Sequence, residues 1–277
     1  MKTPAILSML LIVLFCQAAA AAPVRLTEQE ILQRIGVDEK PGVVIPLDLP
    51  FTDQHGKTVT LADYLTGEPV ILTLNYYSCP MLCPLTFRNL ISAIEEMQGL
   101  SLARDFRMVT VSVDPDETLQ RAREKADETH GMMRDGDPGD RWPFLLGRSP
   151  EIERLAGTVG YRYLQLGKND FAHPSVAIVL TPDGRVARYL YGLDLKPRDL
   201  KLALIEASNG RIGGSTVMNR VLMYCFHYDP AGRKYTLAAV NIMKIAGGAV
   251  LLLLGVLLIA LRRQEKRRAA EKSEDTP

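Results

Sequence analysis

The chain has 277 residues, 47% of them hydrophobic and 23% charged, a globular balance that excludes a disordered or collagen-like polymer. Lys and Arg number 33 against 32 Asp and Glu, a formal charge of +1, so the basic excess of a nucleic-acid binder is missing. Four cysteines are too few for a disulfide-dense scaffold.

In chain order, Lys2, an apolar run over 5–15 and small residues up to Ala22 predict a secretory signal peptide over 1–20. Cys16 follows bulky Phe15, a poor fit to a lipoprotein cleavage site. An N-terminal extension, 21–43, leads to a predicted strand over 44–49 with Phe51, a turn at 53–56 and a returning strand at 58–61. The apolar run 70–74 reads as a buried central strand. After Tyr76-Tyr77-Ser78-Cys79-Pro80-Met81-Leu82-Cys83-Pro84, helical spacing links Phe87, Leu90, Ile91, Ile94 and Met97. A second buried strand spans 108–113 and ends at Asp114-Pro115-Asp116; a charged helix follows over 117–129, then a Gly/Asp/Pro-rich loop over 131–143. A helix at 150–159 begins on Pro150, suited to a first helical position. Strands 176–180 and 186–191 flank Thr181-Pro182-Asp183-Gly184 as a hairpin, and 197–207 is a closing helix. Strands alternating with helices, followed by a terminal hairpin, predict a thioredoxin-like α/β sandwich over 44–208 with an N-terminal β-hairpin.

Residues 209–236 carry no clear pattern and are expected to be a linker. Seventeen uncharged residues, 245–261, extend back past Lys244 to Leu237 and predict a C-terminal transmembrane helix over 237–261. The basic tail 262–277 would lie in the cytoplasm. Both ends then predict a domain on the periplasmic, outer face of the inner membrane. Setting aside Lys2, Lys244 and the +2 tail leaves that domain at −3, so it hides no polybasic surface.

Cys79 and Cys83 follow a buried strand and open a helix, whose partial positive charge favours thiolate over thiol. Their C-x-x-x-C spacing puts helical Cβ atoms about 5–6 Å apart, wider than the roughly 3.5–4.5 Å of a disulfide. Two sulfurs converging on one ion have more room, so the pair suits a metal site at least as well as redox chemistry. Of the four histidines, His55 and His130 read as solvated surface residues, whereas His173 precedes the strand 176–180. In a thioredoxin sandwich the loop entering that strand packs beside the cysteine-bearing helix start, so His173 is a candidate third ligand. Asp114 is either a group at the rim of the site or a helix cap. Cys225 and His227, and Met132 and Met133, read as packing residues before metal ligands.

The segment 77–84 with its C-P-x-x-C-P core, Val111-Ser112-Val113-Asp114-Pro115-Asp116, and His173 nine residues before Pro182-Asp183-Gly184 together resemble the Sco/SenC copper chaperones. The resemblance covers about 44–207. It implies a thioredoxin-like fold, copper bound as Cu(I) or Cu(II) by Cys79, Cys83 and His173, and delivery to the copper site of cytochrome c oxidase subunit II. A further copper chaperone or a thioredoxin-like reductant would be a natural partner. The chain departs from the pattern in Pro174, where Ser or Thr is expected, and in its C-terminal anchor. Two thiolates favour Cu(I) and an added imidazole also suits Cu(II), although zinc accepts the same donors. The alternative function is a thiol-disulfide reductase that uses Cys79 and Cys83 to keep the oxidase copper-site cysteines reduced. A peroxiredoxin-type peroxidase fits the paired cysteines poorly.

Overall fold

The computed structural model describes residues 26–79, 83–134, 136–192, 195–209, 226–229, 234–237, 243–244, 246–259 and 262. The predicted signal peptide and Cys225 lie outside the described residues.

Helix α1 (Glu28–Arg34) starts on a capping box between Thr27 and Glu30 and leads into β1 (Gly36–Val37). Next comes an antiparallel pair, β2 (Pro50–Thr52) and β3 (Thr58–Thr60). The predicted strand over 44–49 is not a strand. Val44 makes only an isolated bridge to Arg185, and Pro46 and Pro50 lack the N–H donors a continuous ladder needs.

The central sheet has the strand order Val186–Tyr191, Val176–Leu180, Val70–Asn75, Arg107–Ser112, Phe144–Leu145. Strands β4 (Val70–Asn75), β5 (Arg107–Ser112) and β6 (Phe144–Leu145) are parallel, while β10 (Val176–Leu180) runs antiparallel to both β4 and β11 (Val186–Tyr191). All six residues of β4 are buried, as expected of a strand covered on both faces. Helices α2 (Cys83–Glu95), α3 (Leu119–His130) and α5 (Pro197–Ala207) cover one face. There Phe87, Leu90, Ile94, Ala126 and Leu204 pack on Ile71, Met108 and Val179. On the other face, α4 (Ser149–Thr158) brings Ile152 and Leu155 against Leu72, Val109 and Ile178, together with Phe51 and Val59 of the β2–β3 pair. The helix starts follow local chemistry: the Thr118 hydroxyl accepts the Arg121 N–H at the head of α3, and Pro150 and Pro197 occupy the first turns of α4 and α5.

Short strands that the sequence did not announce sit beside this sandwich. β7 (Tyr161–Arg162) pairs with β1, and β8 (Leu164–Gly167) pairs with β9 (Asp170–Ala172). The stretch expected to be a linker contains the antiparallel pair β12 (Phe226–Asp229) and β13 (Lys234–Leu237).

The thioredoxin-like sandwich is therefore present, but the predicted transmembrane helix over 237–261 is not. No helix among the described residues is long and apolar enough to cross a membrane. β13 occupies the start of the expected span, at Leu237.

Gly160, with φ +69°, links α4 to β7. Its carbonyl accepts the Asp38 N–H, and a Cβ there would lie 1.9 Å from the Asp38 carbonyl oxygen. Gly160→Ala is expected to destabilise the protein by about 1–3 kcal/mol, through the left-handed backbone and the clash together. Denaturant unfolding of the full chain measures it, and an unchanged midpoint would refute the close approach.

Candidate metal centre

Strand β4 runs directly into Tyr76, Tyr77, Ser78 and Cys79. Its neighbour β10 is antiparallel, with Ala177 opposite Thr73 and Leu180 opposite Val70. The ladder ends at that Ala177–Thr73 pair, and the chain entering β10 there brings His173 to Tyr76, three residues before Cys79. The side chains agree. The His173 ring meets Tyr76 edge-on, with centroids 5.7 Å apart, and Phe171 of β9 packs on the same tyrosine at 5.6 Å. Three residues span at most about 11 Å, which bounds the backbone separation between Tyr76 and Cys79.

A second contact ties His173 to the strand end. The Tyr161 hydroxyl lies 2.7 Å from the Leu74 carbonyl oxygen, 3.0 Å from His173 Nδ1 and 3.0 Å from the Pro174 carbonyl oxygen. The Tyr161 ring is roughly parallel to the imidazole, at 28° and 6.5 Å between centroids. His173 is thus held between two tyrosines and remains half-buried. The described residues contain no cis peptide bond, Pro174 included.

On the cysteine side, Cys79 is buried, with 8% of its surface exposed. Cys83 is the first residue of α2, and its side chain lies outside the described set. The segment ahead of Cys79 is fastened by Glu117. Its carboxylate accepts the Tyr77 N–H at 2.6 Å, the Ser78 hydroxyl at 2.5 Å and the Ser112 hydroxyl at 3.3 Å. Asp114 is not the cap of α3, a role taken by Thr118. Its Oδ1 accepts the Asp116 N–H, while Oδ2 is buried without a hydrogen-bond partner. Burial pushes its carboxyl above the usual range, and Glu117 and Asp116 nearby add to the effect.

Among the described residues, no group of three or more His, Cys, Asp or Glu side chains is arranged to hold a metal ion. The described part of the site brings His173 to the end of β4, next to the segment that presents Cys79. The donor chemistry of the three candidates, two sulfurs and an imidazole, fits a soft ion such as Cu(I).

The remaining candidates separate clearly. His55 is exposed, as expected. His130 is buried instead of solvated, with Nε2 2.9 Å from the Trp142 carbonyl and Nδ1 3.0 Å from Asp137. Desolvation lowers its pKa, against the pull of the Trp142 carbonyl and Asp137. The sequence hides this because the last turn of α3 faces the core just where the charged pattern ends. Met132 and Met133 are partly buried against the core, in keeping with a packing role. His227 lies in β12. Tyr161 and Glu117 escaped the sequence analysis. Glu117 had a weak signal, an acidic side chain just after the turn that ends β5, whereas Tyr161 sits in a two-residue strand too short to show any period.

No curated protein matches the chain. Among solved structures it is similar to two from Aquifex aeolicus VF5. One, provisionally described as an electron transfer protein, is 28% identical, with 62% of this chain and 96% of that chain covered and a TM-score of 0.55. The other, provisionally described as an electron transport protein, is 26% identical, with 61% and 98% covered and a TM-score of 0.51. Arabidopsis thaliana ScoI with copper bound is 23% identical, with 60% and 98% covered and a TM-score of 0.49. The SCO1/SenC family model matches residues 43–206, more than half of the sequence, and the chain therefore belongs to the SCO1/SenC family.

Proposed function

We propose that the protein is a copper chaperone that takes one copper ion on Cys79, Cys83 and His173 and passes it to the copper site of cytochrome c oxidase subunit II. Arabidopsis thaliana ScoI has been solved with copper bound, and BsSco belongs to the Sco family of cytochrome c oxidase assembly proteins. The observation that carries the reading is the approach of His173 to Tyr76, three residues before Cys79. A strand end and a loop ninety-four residues away converge there, and each contributes a soft or borderline donor. Cys83 at the head of α2 adds a sulfur where the helix N-terminus stabilises thiolate. Thiolates can be exchanged one at a time between donor and acceptor cysteines, so the ion need never be released to water. The N-terminal signal pattern supports placing this exchange on the outer face of the membrane.

The second reading is a thiol-disulfide reductase that keeps the subunit II cysteines reduced. A cysteine at the end of a central strand in a thioredoxin-like sandwich favours it. It needs Cys79 and Cys83 but not His173.

Copper-loaded full chain is expected to hold one ion, with two sulfur donors and one nitrogen donor by X-ray absorption. The double variant Cys79→Ala, Cys83→Ala should lose it, and unchanged stoichiometry in that variant would overturn the proposal. His173→Ala separates the two readings. Loss of oxidase assembly with the thiol redox couple intact supports delivery of copper, whereas unimpaired assembly supports the reductase.

A further inference from the structure

The Tyr161 hydroxyl has one proton and a crowded set of neighbours. Two of them, the Leu74 and Pro174 carbonyl oxygens at 2.7 and 3.0 Å, can only accept. The third, His173 Nδ1 at 3.0 Å, accepts or donates according to tautomer, and it also lies 3.2 Å from the Pro174 carbonyl oxygen. If the hydroxyl proton pointed at Nδ1, the Tyr161 oxygen would face the Leu74 oxygen at 2.7 Å with no proton between them. The Nδ1 lone pair would face the Pro174 oxygen in the same way. If the proton points at Leu74, the closest of these contacts is satisfied and Nδ1–H donates to the Tyr161 oxygen while leaning toward Pro174, so that only the Tyr161–Pro174 oxygen pair at 3.0 Å lacks a proton directly between its atoms.

We propose that Tyr161 is a positioning residue that fixes His173 in the Nδ1–H tautomer and holds its ring, so that the lone pair for copper lies on Nε2. The proposal rests on the reading of His173 as a copper ligand. The two ring contacts restrict the remaining freedom, because Tyr76 meets the imidazole edge-on at 86° and Tyr161 lies nearly parallel to it. Tyr161 is itself rigid. It is 3% exposed, and it stands in β7, paired with β1, directly after Gly160. Its hydroxyl bonds the carbonyl of Leu74 in β4, so the imidazole is referenced to the same strand that leads to Cys79. A hydrogen-bonded partner of this kind on the far nitrogen of a ligating histidine sets tautomer and ring orientation, and its loss typically costs about 10–100-fold in metal affinity.

The test uses the full chain labelled with 15N in its four histidines. Two-bond nitrogen–proton correlations of the metal-free protein report each tautomer. In the wild type, His173 is expected as Nδ1–H alone; the Nε2–H form there would overturn the proposal without any substitution. Tyr161→Phe keeps the buried ring and removes only the oxygen. It should shift His173 toward the other tautomer and weaken copper binding about 10–100-fold. Tyr189→Phe removes a comparable buried hydroxyl, which donates to the Val159 carbonyl at 2.9 Å and accepts the Lys40 N–H at 3.1 Å, and should leave both readouts at wild type. An unchanged His173 tautomer in Tyr161→Phe, or the same shift in Tyr189→Phe, would overturn the positioning role. Should His173→Ala bind copper normally while Tyr161→Phe shifts the tautomer, the ligand reading falls and the hydrogen-bond assignment stands.

Discussion

The register between β4 and β10 is the constraint on which the candidate centre depends. Antiparallel neighbours run in opposite directions, so the end of one strand adjoins the start of the other, and Ala177 opposite Thr73 leads the chain that sets His173 against Tyr76. That register is strongly specified because both strands are buried throughout. Ile178 and Leu180 face the layer of α4, while Ala177 and Val179 face the layer of α2 and α5. A slip of one residue would exchange these sets and press the larger side chains into the wrong layer. Bringing Tyr76 and His173 together closes a segment of ninety-seven residues, at a chain-entropy cost on the order of 4 kcal/mol. The hydrophobic sandwich offsets that cost, so the site inherits its geometry from the core and does not have to assemble itself.

The same reasoning explains which parts could be read from the sequence. β4, β5, α2, α4, α5 and the β10–β11 hairpin each carry a periodic apolar signal, because each buries a full face. Cys79, Cys83 and His173 stood out as residue types whose chemistry is rare at those places. Tyr161 could not stand out. It is one of ten tyrosines, in a strand of two residues, and its importance lies in three distances to atoms of Leu74, His173 and Pro174. His130 misled for a related reason, since a histidine at the C-terminal end of a charged helix looks solvated until the chain folds Trp142 and Asp137 onto it. The sequence overextended the strand before β2 because apolar residues alone do not make a ladder when prolines interrupt the donors.

The apolar run near the C-terminus shows the limit of hydropathy more sharply. A window of uncharged residues is necessary for a bilayer span but not sufficient, because the span also requires unbroken helix of the right length. Here β13 ends at Leu237, inside the expected window, and no helix among the described residues is long and apolar enough to cross a membrane. Leu237, where the window opens, pairs as a strand with Phe226 instead.

Two polar anchors frame the candidate centre, and they differ in kind. Glu117 gathers three donors, two of them from Tyr77 and Ser78, in hydrogen bonds to a charged group, each worth about 1.5–3 kcal/mol. Tyr161 works through neutral hydrogen bonds, worth about 1 kcal/mol each. Both refer a loop to the strand ends of the same sheet: one fixes the approach to Cys79 against the β5–α3 connection, the other ties His173 to the end of β4. Neither anchor belongs to the apolar pattern that specifies the fold. The Tyr161 ring packs in the core while its oxygen serves the imidazole, so removing that one atom leaves the buried apolar surface intact. The core holds the tyrosine ring, and the hydroxyl is the part of it that reaches the imidazole.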